Sequence, residues 1–141
     1  MTQEDKDLLL KDLSTRLFYG VKGIITYDKS NTTFTVEGID NNVLHLSDAE
    51  DCYIEDFKPY LRPMSSMTEE EKKELGRISC EGNIEHKYGI FYRSQDYLNS
   101  IHVDYRELIE KGLALEAPEG MYKHFGDMDV VVTSVKHKNK L

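Results

Sequence analysis

The residues best suited to chemistry are three histidines of the C-terminal half, each close in sequence to a carboxylate. They are His86, His102 and His124, near Glu85, Asp104 and Asp127. Histidine and carboxylate side chains together bind metal ions or transfer protons. His102 and Asp104 alone would need further ligands from elsewhere, and a histidine at a helix boundary more often makes a local hydrogen bond. We therefore predict no metal and no cofactor, and keep a small enzyme that uses these histidines as an alternative.

Other signatures of catalysis are missing from the chain. No glycine-rich phosphate loop precedes a helix, and no G-x-S-x-G sequence marks a nucleophilic serine. Cys52 and Cys80 lack the C-x-x-C spacing of redox and zinc sites, so we interpret them as small buried residues, with a cross-link as the alternative. The glutamates at 69–71 and 74 suit the start of a surface helix. The sequence predicts no catalytic residue.

Tyrosine is the unusual component of the composition, with nine tyrosines and no tryptophan. Tyrosine and arginine dominate binding sites for proteins and for unpaired bases. A possible partner surface comprises Tyr60, Arg62, Tyr88, Tyr92, Tyr97 and Tyr105. The alternative, which we favour, is that the rings pack into a small core and leave their hydroxyls in water.

The negative charge is concentrated in one stretch of the chain. The net charge is −8, and residues 30–57 contain seven carboxylates and no lysine or arginine. They are Glu37, Asp40, Asp48, Glu50, Asp51, Glu55 and Asp56. Such a stretch repels phosphates, which disfavours nucleic-acid binding through this half. It favours solubility, with a partner-specific acidic surface or a nucleic-acid mimic as alternatives.

A helix and four strands are predicted in the first half. Residues 5–18 are predicted to form an amphipathic helix with Thr2 as its N-cap. Its apolar residues recur at helical spacing, and Asp12 lies off that apolar face; the apolar residues are Leu9, Leu10, Leu13, Leu17 and Phe18. Residues 21–27, 32–39, 43–46 and 52–57 then follow a period of two. Connections this short require an antiparallel meander, which Gly23 and Gly38 would allow to bend, even into a small barrel.

The second half is predicted to be mainly helical. Pro59 and Pro63 indicate an extended connector, after which Thr68 and Glu71 form a capping box for a helix. Ser94 and Asp104 are the predicted N-caps of two further helices, the second ending at Gly112. Residues 113–117 are predicted to be extended, residues 130–135 to form a late strand, and residues 136–140 to be a basic mobile tail.

The chain as a whole is predicted to be one α+β domain, residues 1–141, with a possible subdivision into 1–62 and 63–141. No apolar run approaches the ~20 residues that cross a bilayer, so no membrane association is expected. The acidic N-terminus is unlike a secretory signal, which predicts a cytoplasmic location.

Three segments resemble a family of short uncharacterised bacterial proteins associated with prophages and mobile elements. They are DFKPYLRPMSSMTEEE at 56–71, LLLKDL at 8–13 and DYRELIEKGLA at 104–114. The resemblance implies a bacterial cytoplasm and a phage-derived gene, but no activity. We predict a non-enzymatic protein-interaction or accessory module with an unknown protein partner, or a homo-oligomer. A nucleic-acid mimic or modulator of DNA metabolism, and a small enzyme, are the alternatives.

Overall fold

The computed structural model describes residues 1–81 and 87–122, with the backbone alone at 80–81 and 87–92, and it has the predicted α+β composition. The helices are α1 (Gln3–Arg16), α2 (Glu69–Glu81) and α3 (Lys87–Ser100), and the strands are β1 (Lys22–Ile25), β2 (Phe34–Asp40), β3 (Val43–Leu46), β4 (Cys52–Tyr53), β5 (Phe57–Leu61) and β6 (Leu115–Glu116). Single 3₁₀ turns lie at Leu17–Tyr19, Ile54–Asp56 and Met64–Ser66. None of the described helices is long and apolar enough to cross a membrane.

The strands form one mixed sheet with the order β4-β3-β2-β1-β5-β6. Strands β1 to β4 make the predicted antiparallel meander. The chain then returns to the other side of β1, where β5 pairs antiparallel, and β6 adds to β5 in parallel. The barrel alternative is wrong, because β5 occupies the free edge of β1 and the two-residue strands β4 and β6 end an open sheet.

The fourth predicted strand and the proline connector both need correction. A 3₁₀ turn at Ile54–Asp56 divides the predicted strand at 52–57 into β4 and the beginning of β5. Strand β5 then continues through Pro59. Phe57, Pro59 and Leu61 are buried in alternation with half-buried Lys58 and Tyr60. The alternation buries three apolar side chains. The free energy gained by this burial outweighs the loss of the one backbone hydrogen-bond donor that proline lacks.

Two glycines shape the sheet. A Cβ added at Gly23 would lie 2.4 Å from the carbonyl oxygen of Lys58 and 2.4 Å from the ring of Phe57, so only glycine fits there. Gly38 lies at a register shift between β2 and β3. The shift is the bulge that a glycine inside a strand indicates.

Helix α1 begins as predicted, with Thr2 and Asp5 forming a capping box. Leu9 and Leu13 are fully buried, but two assignments on this helix are wrong. Asp12 is fully buried, because Arg16 one turn later neutralises its charge. Phe18 is 93% exposed, because it lies in the 3₁₀ turn that follows the helix and turns its side chain to solvent.

The C-terminal half differs more from expectation. Ser94 lies inside α3 rather than at its start, and residues 104–112 form turns rather than a helix. Glu107 has a positive φ of 62°, which interrupts helical geometry. The capping box of Thr68 and Glu71 is confirmed. Of the segment predicted to be extended at 113–117, only Leu115–Glu116 forms a strand, and residues 113–114 form a bend. The strand predicted at 130–135 and the tail at 136–140 lie outside the described residues.

Two clusters of buried apolar residues support this architecture. The larger, which we call the sheet core, lies between α1 and the sheet and includes Leu9, Leu13, Val21, Val36, Leu44, Phe57 and Leu61. The smaller contains Met67, Leu98, Ile101 and Val103. Hydrogen bonds from the Arg62 amide to the His102 carbonyl oxygen (2.8 Å) and from Arg16 Nη2 to the Val103 carbonyl oxygen (2.7 Å) join the two halves of the chain.

Candidate functional site

Asp12 is the centre of a buried ionic network. Arg16 donates to its carboxylate from Nε (2.9 Å) and Nη2 (3.1 Å), and Arg106 donates from Nη1 (2.7 Å). Both guanidinium groups lie over the ring of Tyr105, 5.4 Å and 4.6 Å from its centroid. Charge-assisted hydrogen bonds from two guanidinium groups hold this buried carboxylate in one position. Asp12 therefore ties α1 to the turns around residue 105.

Arg62 and Glu71 form a second buried ion pair. The two Nη atoms of Arg62 lie 2.7 and 2.6 Å from the Glu71 carboxylate and also donate to the carbonyl oxygens of Ile101 (3.1 Å) and Ser66 (3.0 Å). Glu71 at the same time accepts from the Thr68 amide (2.9 Å). Arg62, predicted to belong to a partner surface, is only 5% exposed and points inward. Its geometry positions β5 against α2.

His102 has a structural position in the fold. Its Nε2 lies 2.9 Å from the Tyr19 carbonyl oxygen, which can only accept, so this nitrogen carries the proton. Its ring stacks on Tyr122 with centroids 3.8 Å apart. Burial, together with the positive charge of Arg16, lowers the pKa of His102 from 6.5 to about 3. The imidazole is neutral at physiological pH, which does not suit acid–base exchange.

Tyr122 connects this stack to the sheet. Its hydroxyl accepts from the Lys22 amide (2.7 Å) and donates to the Tyr60 carbonyl oxygen (2.9 Å). Burial raises the pKa of the Tyr122 phenol well above its usual range, so the hydroxyl stays protonated. The side chain therefore bridges β1 and β5 and holds the segment after β6 in place.

The proposed partner residues whose side chains the structure describes are buried or half-buried. Tyr60 and Tyr97 are half-buried, and burial raises the pKa of Tyr97 to about 12. Tyr105 is half-buried beneath the arginines and donates to Asn99 Oδ1 (2.9 Å). Tyr88 and Tyr92 lie on α3, and their side chains are outside the described part. The large exposed apolar side chains of the described residues are instead Met1, Phe18, Tyr27, Tyr53 and Met64, which lie in separate segments.

No metal centre is found in the part of the chain that the structure describes, where no three His, Cys, Asp or Glu side chains converge. The Asp104 carboxylate instead accepts from the amides of Leu108 and Ile109, both at 2.9 Å. His86, His124, Glu85 and Asp127 lie outside the described residues. Burial, together with the negative charges of Asp56 and Asp51, raises the pKa of the Cys52 thiol to about 11, so little reactive thiolate forms at neutral pH.

The feature with the geometry of a binding site is a cleft of about 290 Å³ beside β6, which we call the β6 cleft. Its lining residues are Arg62, Pro63, Ser66, Glu116, Ala117, Pro118, Glu119, Gly120 and Tyr122. One wall is the turn after β5, and the other is the loop after β6. The volume is near the lower end of the range typical for ligand pockets.

Both walls of the β6 cleft are anchored to β5. Ser66 bonds the Pro63 carbonyl oxygen through its amide (2.9 Å) and its hydroxyl (2.7 Å), which closes the first wall. On the second wall the Ala117 amide donates to the Leu61 carbonyl oxygen (2.8 Å), and Met121 closes a turn on Pro118 (3.1 Å). A cleft with walls fixed in this way needs little ordering when a ligand binds.

The acidic stretch is divided between opposite ends of the sheet. Asp40 precedes the turn between β2 and β3, whereas Asp48, Glu50 and Asp51 follow β3 at its other end. Glu55 pairs with Lys6 at 3.5 Å. This placement does not support a single row of carboxylates like the phosphates of one nucleic-acid strand.

Comparisons with protein-family models, with curated proteins and with solved structures find no match to this chain. The resemblance to the prophage-associated family therefore stays a prediction.

Arg62 and Pro63 of the cleft lining were identified from the sequence, but Glu116, Glu119 and Tyr122 were not, because the segment around Pro118 indicates only a turn. The Asp12 and Arg16 pair had a usable signal, since opposite charges four residues apart on a helix face form ion pairs.

Proposed function

We propose that this chain is a non-enzymatic protein-interaction module that holds an extended segment of a partner protein in the β6 cleft. The observation that carries the proposal is the cleft itself, with two preformed walls and a lining of proline, alanine and tyrosine beside exposed polar groups. Apolar walls with a few placed polar groups are typical of recognition sites. A phage or mobile-element origin is part of this proposal and rests on the sequence resemblance alone.

The buried ionisable groups favour this proposal over an enzyme. Asp12 and Glu71 are each committed to arginine, and His102 is neutral and bonded to a backbone carbonyl. Groups that are committed in this way stabilise the fold and are not poised to exchange protons with a substrate.

The position of the β6 cleft also suits an extended ligand. Strand β6 ends the sheet in the described part of the chain, and the cleft continues directly from it. Extended peptides commonly bind along a sheet edge, where pockets for individual side chains give specificity.

The test is a selection of displayed random peptides against the full chain, followed by calorimetry with the selected peptides. Ala117→Phe places a large ring in the cleft, and Thr33→Phe, at an exposed site before β2, is the matched control. We expect micromolar binding to the wild type and to Thr33→Phe, and at least about tenfold weaker binding to Ala117→Phe. Peptides that bind all three proteins equally, or no selected peptide at all, would contradict the proposal.

Sedimentation velocity of the same three proteins tests whether the partner is a second copy of this chain. We expect the wild type to sediment as a monomer, because the proposed occupant is a segment of another protein. A wild-type dimer that Ala117→Phe dissociates would replace the foreign partner with self-association.

A further inference from the structure

The acidic side chains of the β6 cleft are available for a ligand. Glu116 and Glu119 are exposed, and neither makes a hydrogen bond or an ion pair with any of the described residues. Two unpaired carboxylates on one rim attract a cation, and a bound cation would be their first strong partner.

The only arginine in the lining does not offset these charges. Both Nη atoms of the Arg62 guanidinium donate to the Glu71 carboxylate and to a carbonyl oxygen. The charge of Arg62 is therefore paired inside the protein. The cleft therefore presents a negative rim to solvent.

Tyr122 supplies a small apolar contact to the cleft. The residue is only 7% exposed, and one face of its ring is covered by His102 at a centroid distance of 3.8 Å. The neighbouring Pro63, Ala117 and Pro118 offer apolar contact for the methylene groups of such a side chain.

We infer that the β6 cleft accepts a lysine or arginine side chain of the partner's extended segment, an inference that rests on the proposed function. The apolar walls and Tyr122 contact the aliphatic stem, and Glu116 and Glu119 bind the cationic head. This combination selects against acidic segments and against neutral side chains of the same length.

The test uses fluorescein-labelled nonapeptides that differ only at the central residue, which is lysine, norleucine, arginine or citrulline. Norleucine and citrulline keep the length of lysine and arginine without the charge. Fluorescence anisotropy with the full chain should show at least about fivefold tighter binding of each cationic peptide than of its neutral counterpart, and the preference should shrink at high salt.

Two double variants test whether Glu116 and Glu119 cause the preference for cationic peptides. The double variant Glu116→Gln/Glu119→Gln should bring the cationic and neutral peptides to nearly equal affinity. Glu37→Gln/Glu50→Gln changes the net charge equally at exposed sites away from the cleft and should keep the preference. Equal binding of charged and neutral peptides to the wild type, or loss of the preference in both double variants, would overturn the inference.

The outcome also separates this inference from the proposed function. The cationic and neutral peptides could bind the wild type equally well and fail to bind Ala117→Phe. This result would support the interaction module and contradict the preference for a cationic side chain. If none of the four peptides binds, the inference fails, and the displayed-peptide selection decides the proposed function independently.

Discussion

The sheet core and the polar cluster around α2, α3 and residues 101–106 are stabilised by different forces. Behind the sheet, side chains such as Leu9, Leu44 and Phe57 are completely buried among other apolar groups. In the polar cluster, four buried apolar residues share the interior with Arg62, Glu71, Asn99, His102 and Asp104. The first region depends on apolar area removed from water, and the second on every buried charge and hydrogen-bonding group having its partner.

The largest effect is expected from Asp12→Asn, which removes the charge at the centre of the ionic network joining α1 to the polar cluster, without changing the shape of the side chain. Arg16 would remain fully buried without its carboxylate, and breaking a buried ion pair typically costs about 3–5 kcal/mol. Urea unfolding at neutral pH measures the loss. Asp7→Asn, on the exposed side of the same helix, is the control and should change stability by less than about 0.5 kcal/mol. Similar values for the two variants would show that pairing does not dominate in this region.

The sheet core is tested by Gly23→Ala. The added methyl group would meet the Lys58 carbonyl oxygen and the Phe57 ring at 2.4 Å, so the sheet must shift at a cost of about 3 kcal/mol. Gly76→Ala on α2 is the matched control, because nothing lies within 4 Å of its added Cβ. Alanine there should stabilise the helix by about 0.5–1 kcal/mol. Urea unfolding of both variants should therefore give changes of opposite sign, and a tolerated alanine at position 23 would contradict the observed packing.

A smaller effect is expected from the titration of His102. Its pKa is lowered from 6.5 to about 3 in the folded state, so below pH 6.5 the unfolded chain binds a proton that the folded chain does not. Stability is therefore lost as the pH falls from 6.5 towards 3, by about 2 kcal/mol between pH 7 and pH 5.

The variant His102→Asn isolates this contribution, because asparagine tolerates the positive φ of 60° at this position and does not titrate. Urea unfolding at pH 7, 6 and 5 should show a shallower loss of stability in the variant than in the wild type. The remaining histidines are common to both proteins and cancel in the comparison. Parallel pH profiles would mean that His102 can be protonated without cost in the folded state.

The sheet was largely predictable from the sequence, because its signals are local. Alternation around Phe34 and Val36 identified β2, and the short turns required antiparallel pairing of β1 to β4. The break at Ile54–Asp56 was not predictable in this way, because residues 52–61 are apolar on both sides of it. The pairing of β5 with β1 and of β6 with β5 depends on contacts between distant residues, for which a single sequence gives no local signal.

The polar cluster was less predictable for a physical reason. The capping box at Thr68 has a local signature, but the second role of Glu71, as the partner of Arg62, depends on how α2 packs against β5. Arg62 was assigned to a possible partner surface because tyrosine and arginine dominate binding sites. Its burial is possible because the Glu71 carboxylate neutralises its charge. The candidate site was unpredictable for the same reason, because the β6 cleft lies between two segments that are about fifty residues apart in the chain.

The most direct test of the interaction proposal is an amide NMR titration of the isotope-labelled full chain with a selected peptide. We expect the largest shift changes on the cleft residues, with Ser66, Ala117 and Gly120 as reporters, and little change at Glu37 in β2 and Tyr53 in β4. Shift changes concentrated on β2 to β4, with the cleft amides unchanged, would contradict the interaction proposal and move the binding site to that part of the sheet.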